Sequence, residues 1–152
     1  MSGSGSDRVV VIGLGYVGLP LAVALAGKAE VTGLDIDRGR IEELNAGHDR
    51  TREVDGERLR NSGLKLTSDP GDCAGADIYI VTVPTPVDSA NRPDLRPVLG
   101  ATETVAKLLD PARKPIIVYE STVYPGVTDD ICGPRLEQIS GLKRGRDFFL
   151  GY

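Results

Sequence analysis

The hydrophobic pattern of the chain opens with Val9-Val10-Val11-Ile12, four apolar residues in a row. A strand that reads this way has both faces covered, which is the habit of parallel sheets. Residues 16–26 then carry Val17, Leu21 and Leu25 four positions apart, a helical stripe, with Pro20 early enough for the opening turns to tolerate it. Residues 31–34 predict a second short strand, and the helix after Asp35-Ile36-Asp37 places Ile41 and Leu44 on one side. Residues 47–63 are polar with alternating charges, and Val54 and Leu59 mark one short helix inside that long connection. Residues 64–67 predict a third strand, and Asp69-Pro70 opens a turn or short helix.

The second half repeats the alternation. Ile78-Tyr79-Ile80-Val81-Thr82-Val83 is rich in β-branched residues and stops where Pro84 and Pro86 cannot donate to a ladder. Asp94 is placed to cap a helix whose Leu95, Val98, Leu99, Thr102, Val105 and Leu109 share a face, with Pro97 in its first turn. Residues 116–119 predict a fifth strand, residues 127–139 a helix that Pro134 kinks or ends, and residues 148–150 a sixth strand. Strands alternating with helices predict a doubly wound α/β domain, Rossmann-like, with a mostly parallel sheet and helices on both faces. Right-handed crossovers put the carboxyl ends of the strands on one edge, where ligands bind in this architecture.

Composition narrows the function classes. At 40% hydrophobic and 26% charged residues, the 152-residue chain has ordinary globular composition. Eighteen basic against twenty-two acidic side chains leave −4, which gives no electrostatic case for nucleic acid or an anionic membrane as partner. No apolar run approaches the roughly 18 residues that cross a bilayer. Two cysteines, Cys73 and Cys132, are too few for a disulfide scaffold, and with one histidine they cannot build a zinc site, so no metal is expected. Residues 1–7 read as a tag or disordered leader without the apolar segment of a secretion signal. The expectation is a reduced, cytoplasmic domain over residues 8–152.

Gly13-Leu14-Gly15-Tyr16-Val17-Gly18 fits G-x-G-x-x-G, and its context, a buried strand before and an apolar helix after, is the one the chemistry needs. Gly13 permits the tight turn, Gly15 lets the backbone approach a pyrophosphate, and Gly18 lets helix and strand pack closely. The unpaired N–H groups and positive end of the helix then face the phosphates. Asp35 lies 17 residues past Gly18, close to the spacing of a ribose-binding acid. A carboxylate there accepts both adenosine ribose hydroxyls and repels a 2′-phosphate, so NAD is expected over NADP. Asp37 is the cap of the following helix, which frees Asp35 for a ligand. The plainer alternative is a glycine turn with Asp35 as the cap. No Gly-Lys-Ser/Thr follows the loop, which disfavours a P-loop nucleotidase.

Val11-Ile12-Gly13-Leu14-Gly15-Tyr16-Val17-Gly18-Leu19-Pro20 resembles the opening of the nucleotide-sugar 6-dehydrogenases, the family of UDP-glucose dehydrogenase. Val83-Pro84-Thr85-Pro86 and Glu120-Ser121-Thr122-Val123 agree with it in order and spacing. The stretches Pro86-Val87-Asp88, Pro93-Asp94-Leu95 and Tyr119-Glu120-Ser121-Thr122-Val123-Tyr124-Pro125-Gly126 look most like the branch acting on UDP-N-acetylhexosamines, which makes uronic acids for surface polysaccharides. The resemblance implies an enzyme that oxidises the C6 alcohol of a UDP-sugar to a carboxylate in two hydride transfers to NAD, through a thiohemiacetal on a cysteine. It implies that Gly13, Gly15, Tyr16, Val17 and Gly18 line the pyrophosphate. Asp35, Ile36 and Arg40 would serve the adenosine ribose, Val83, Pro84 and Thr85 the adenosine side, and Ser121 and Thr122 the nicotinamide end. Thr122 would help position a water near the reacting carbon. It further implies a parent protein that is a homodimer or larger.

The nucleophilic cysteine of that family sits in a glycine-rich loop beyond the dinucleotide domain, and its acid/base glutamate beyond Tyr152. Neither Cys73, in a small-residue turn, nor Cys132, within a helix, has a neighbour that lowers its pKa. His48 reads as a solvent-exposed loop residue. The chain is therefore expected to be a truncated domain, without the central helix and UDP-binding domain, that binds NAD and does no chemistry alone. Arg40 as a solvated helix charge, Pro84-Thr85-Pro86 as a strand end, and Ser121 and Thr122 as helix caps stay open as simpler readings. So do two other functions for the whole chain: a nucleotide-sensing module of potassium-transport type and an S-adenosylmethionine-binding domain.

Overall fold

The structure is a computed structural model that describes residues 7–120 and 126–151. Six strands, β1 (Arg8–Ile12), β2 (Glu30–Leu34), β3 (Lys65–Thr67), β4 (Ile78–Val81), β5 (Ile116–Tyr119) and β6 (Phe149–Gly151), form one sheet in the order β3-β2-β1-β4-β5-β6. Every neighbouring pair is parallel. The helices are α1 (Gly18–Ala26), α2 (Arg38–Asn45), α3 (Gly56–Asn61), α4 (Arg96–Ala106) and α5 (Gly133–Ser140).

The alternation of side chains along β1 divides the core in two. Val9 and Val11 pack with Leu19, Ala22, Val23, Ile41, Leu44 and Leu59 on one face. Val10 and Ile12 pack with Tyr79, Val98, Val105 and Leu136 on the other. An apolar run of four thus serves two cores at once, and each such side chain contributes on the order of 1.5–3 kcal/mol by leaving water.

Two expectations need correcting. The buried face of α1 is Gly18, Leu19, Ala22 and Val23, not the stripe of Val17, Leu21 and Leu25. Nearly every residue of α1 is apolar, so periodicity alone offers two stripes, and Val17 stands at the N-cap, 59% exposed. The second concerns Pro134. Val127–Cys132 forms a wider π-helical turn, and Pro134 falls in the first turn of α5, where its missing N–H breaks no helical bond. Helical backbone runs on through Cys132 and Gly133 into α5, so Pro134 does not end the helix; it falls where the wide turn gives way to the α-helical one.

The ladders end flush. Ile12 pairs with Leu34 and with Val81, and Val81 with Tyr119. Gly13, Asp35, Thr82 and Glu120 are therefore each the first residue past a strand, side by side on the carboxyl edge. Strand order reverses between β1 and β4, and that switch point opens a crevice.

Candidate functional site

The crevice has a volume of about 850 Å³. Its floor and walls include Gly13 to Val17, Asp35 and Ile36, Thr82 to Thr85, and Glu120. All the cofactor residues expected from sequence up to Thr85 line it, except Gly18 and Arg40. Ser121 and Thr122 lie outside the described residues. Tyr16, at 70% exposed, and Ile36, at 85%, stand at the mouth.

The three motif glycines are required for different reasons. Gly13 has φ +94°, a left-handed conformation, and a Cβ there would press on the Val83 backbone nitrogen at 3.0 Å. A Cβ at Gly18 would overlap the Gly13 carbonyl oxygen and the Thr82 Oγ1 atom. At Gly15 a Cβ would meet nothing within 4 Å. The protein's own packing needs Gly13 and Gly18 but not Gly15. Gly15 thus presents bare backbone to the open crevice. No side chain caps α1; within its first turn the Leu19 N–H donates to the Gly15 carbonyl at 3.2 Å and Pro20 has no N–H, so the donors open to a ligand are those of the glycine loop that leads into the helix.

The side chain of Leu14 anchors this loop. Leu14 is fully buried, with its methyl carbons against Gly33, where a Cβ would sit 2.9 Å from Cδ2. Its N–H donates to Asp35 Oδ2 at 3.0 Å, and its carbonyl accepts from Arg40 Nε at 2.7 Å. Asp35 Oδ1 accepts from the Asp37 N–H at 2.9 Å. Both Asp35 oxygens are thus held by backbone donors at the crevice wall, each with a lone pair left for hydroxyl donors. The capping of α2 falls to Asp37, whose carboxylate accepts from the Arg40 N–H at 3.2 Å, as expected. The alternative that makes Asp35 the cap is excluded.

Arg40 is 4% exposed, so it is no solvated helix charge. Its Nη1 donates to Asp49 at 2.9 Å, and Nη2 is buried without a partner. It braces the loop rather than lining the crevice.

Two contributions were not named from sequence. The sequence marks Thr82 only as strand, yet its hydroxyl donates to the carbonyls of Ile12, at 2.9 Å, and Gly13, at 2.7 Å, fixing the turn. The second is α4, which lends Arg96, Pro97, Gly100, Ala101 and Thr104 to the opposite wall. Their spacing of three and four was a stripe in the sequence, but a stripe of small and polar residues beside the apolar one. Arg96 is paired with Asp94, which holds that carboxyl down at about 2. Asp94 accepts from the Arg96 N–H at 3.0 Å but stands one residue before the N-cap of α4, which is Leu95 and has no side-chain cap.

Neither thiol is at the crevice. Cys73 and Cys132 are fully buried. Burial, and then the charges of Asp72 and Asp69, push the Cys73 thiol up to about 11, and burial raises that of Cys132. His48 is exposed. Among the described residues no cluster of potential metal ligands occurs, and no helix is long and apolar enough to cross a membrane.

Comparison with known proteins places this geometry. Residues 7–152 match the NAD binding domain of the UDP-glucose/GDP-mannose dehydrogenase family. The chain is 51% identical over 145 residues to Protein CapL of Staphylococcus aureus, covering 95% of itself and 34% of that protein. To the UDP-N-acetyl-D-glucosamine 6-dehydrogenase of Pseudomonas aeruginosa it is 49% identical over 146 residues, again 95% of itself and 34% of the relative. The solved structure of UDP-D-ManNAc dehydrogenase from Pyrococcus horikoshii superposes with a TM-score of 0.86 at 35% identity, over 94% of this chain and 35% of that one. The chain thus spans about a third of the length of these relatives. A match along residues 7–152 decides against the potassium-transport and S-adenosylmethionine readings.

Proposed function

Starting from the fact that this chain belongs to the UDP-glucose/GDP-mannose dehydrogenase family, of which it carries the NAD-binding domain, we propose that it is the cofactor-holding part of an NAD-dependent UDP-sugar 6-dehydrogenase. The UDP-N-acetylhexosamine branch is favoured because a relative 49% identical is a UDP-N-acetyl-D-glucosamine 6-dehydrogenase. The observation that carries the reading is the open approach at Gly15 facing the Asp35 carboxylate across one crevice.

In this reading the N–H groups of the glycine loop that leads into α1 receive the pyrophosphate. Asp35 receives the adenosine ribose hydroxyls, its carboxylate pre-set by the Leu14 and Asp37 amides. Ile36 and Tyr16 shield the mouth, and Val83, Pro84 and Thr85 form the wall under the adenosine side. Arg40 serves that side indirectly, by holding the Leu14 carbonyl. Ser121 and Thr122, outside the described residues, are assigned to the nicotinamide end on the family resemblance alone, with Thr122 positioning a water. Bound there, NAD supplies a hydride acceptor. Among the described residues the chain supplies no thiol nucleophile at the crevice, since Cys73 and Cys132 are both buried and unactivated. Residues 8–152 then act as one dinucleotide-binding unit that needs a UDP-sugar-binding partner domain to turn over, in a protein that assembles as a dimer or larger.

Calorimetric titration tests this. NAD should bind more tightly than NADP, and Asp35→Ala should lose about 1–3 kcal/mol of NAD affinity. Equal affinity for the two dinucleotides, or an unchanged Asp35→Ala, would refute the assignment. A UDP-sugar added with NAD should yield no NADH from the chain alone.

A further inference from the structure

Asp49 lies in the polar stretch that sequence reads as mere connection, yet its side chain is wholly shielded from solvent. Its carboxylate accepts five hydrogen bonds. Oδ1 takes the Thr51 N–H at 2.9 Å, the Thr51 hydroxyl at 2.6 Å and Arg40 Nη1 at 2.9 Å. Oδ2 takes the Glu53 and Val54 N–H groups at 3.0 and 3.1 Å. The chain is drawn into a knot around one carboxylate, with Arg52 in the left-handed region at φ 58°.

Charge explains why this carboxylate sits against Arg40. A guanidinium that is 4% exposed needs a counter-ion. Among the described residues one other carboxylate ion-pairs with it: Glu43, whose Oε1 stands 3.6 Å from Nη1 and is nearer to Arg50 Nε, at 2.5 Å. Asp49 holds one arm of the fork, and the fork's Nε holds the Leu14 carbonyl at 2.7 Å.

That carbonyl belongs to the same peptide unit as the Gly15 N–H. No peptide among the described residues is cis, and in a planar trans unit the C=O and N–H point in opposite directions. Whatever fixes the Leu14 oxygen fixes the direction of the Gly15 N–H. Leu14 and Gly15 line the crevice, whereas Arg40 does not.

We propose that Asp49 is a positioning residue for dinucleotide binding: by holding Arg40 on the Leu14 carbonyl, it aims the Gly15 N–H at the pyrophosphate. The proposal rests on the reading of the crevice as the NAD site. It makes the connection after α2 a working part of the phosphate loop. Arg40 acts by rigid placement, as a planar fork with two fixed arms, which a lysine cannot reproduce.

The test is a nuclear magnetic resonance titration of the 152-residue chain with NAD, ADP and adenosine, on wild type, Asp49→Asn, Arg40→Lys and the double variant. Asp49→Asn should weaken NAD and ADP about tenfold, leave adenosine within about twofold, and move the Gly15 amide resonance in the free protein. The double variant should be no weaker than Arg40→Lys alone, because both changes cut one line of contacts. Should Asp49→Asn fail to fold, Arg40→Lys carries the same three-ligand comparison. Equal loss for all three ligands would mean a general loosening of the fold and would overturn the proposal, as would additive losses or an unmoved Gly15 amide. If wild type binds NAD and Asp49→Asn binds it equally well, only this proposal falls. If wild type does not bind NAD, the reading of the site falls with it.

Discussion

Replacing Gly15 by alanine should leave the fold intact and remove most of the dinucleotide affinity, while the same change at Gly18 should do the reverse. At Gly15 the new methyl meets no atom within 4 Å, and the backbone is not left-handed. Alanine there is neutral or stabilises by about 0.4–1 kcal/mol, by narrowing the unfolded ensemble. The methyl instead occupies the approach to the backbone donors. Losing one N–H bond to a phosphate costs about 2 kcal/mol, which is roughly thirtyfold in affinity. At Gly18 the methyl overlaps the Gly13 carbonyl and the Thr82 hydroxyl, with backbone on one side that cannot swing away. A cost of about 3 kcal/mol is expected, at the upper end of overpacking. Thermal melts followed by circular dichroism report the first effect and calorimetric titration with NAD the second. A Gly15→Ala protein that binds NAD like wild type would refute the division of labour among the glycines. A Gly18→Ala protein that melts like wild type would do the same.

Further outcomes follow from the residues that hold the loop. Burial alone would raise the Asp49 carboxyl, but hydrogen bonds from Thr51, Arg40 and Val54 outweigh it and hold it down to about 2, against an ordinary 3.8. Its ionised form therefore favours the folded state above about pH 4, and about 2 kcal/mol is lost as pH falls from there toward 2. Urea midpoints measured down that range should fall steeply for wild type and less for Asp49→Asn; parallel curves would contradict the assignment. Thr82→Val removes the hydroxyl shared by the Ile12 and Gly13 carbonyls. It should cost about 1 kcal/mol in denaturant melts and weaken NAD severalfold; an unchanged NAD affinity would show that Gly13 needs no clamp. Cys73→Ala should cost stability without altering NAD affinity, because that thiol is fully buried away from the crevice.

The sheet was legible because its central strands carry continuous apolar runs, residues 9–12, 78–81 and 116–119, a pattern that suits a parallel strand covered on both faces. The order of motif and acid also carried through, since Gly13 and Asp35 sit one residue past paired strand ends and no tertiary contact can move them apart. The Asp37 cap was legible for a similar reason, being decided within four residues of chain. What sequence hid were effects decided across the fold. The buried face of α1 depends on which side the sheet lies, and an all-apolar helix does not say. Asp49 reads as one charge among many until Arg40, nine residues away in sequence, is seen to need it. Pro134 was ambiguous because a π-helical turn ahead of it resets the helix, and no residue type announces such a turn. The α4 wall escaped notice because Gly100 and Ala101 are small rather than chemically distinctive. At that wall small size is what leaves room.

The most direct measurement is a proton–nitrogen correlation titration of the chain with NAD. The amides of Gly13, Gly15, Tyr16 and Val17, together with those of Asp35, Ile36, Thr82, Val83 and Thr85, should shift and saturate together. Amides at the opposite, amino edge of the sheet, such as Arg8 and Ile78, should stay in place. Saturable shifts centred anywhere else, or none at millimolar NAD, would contradict the account.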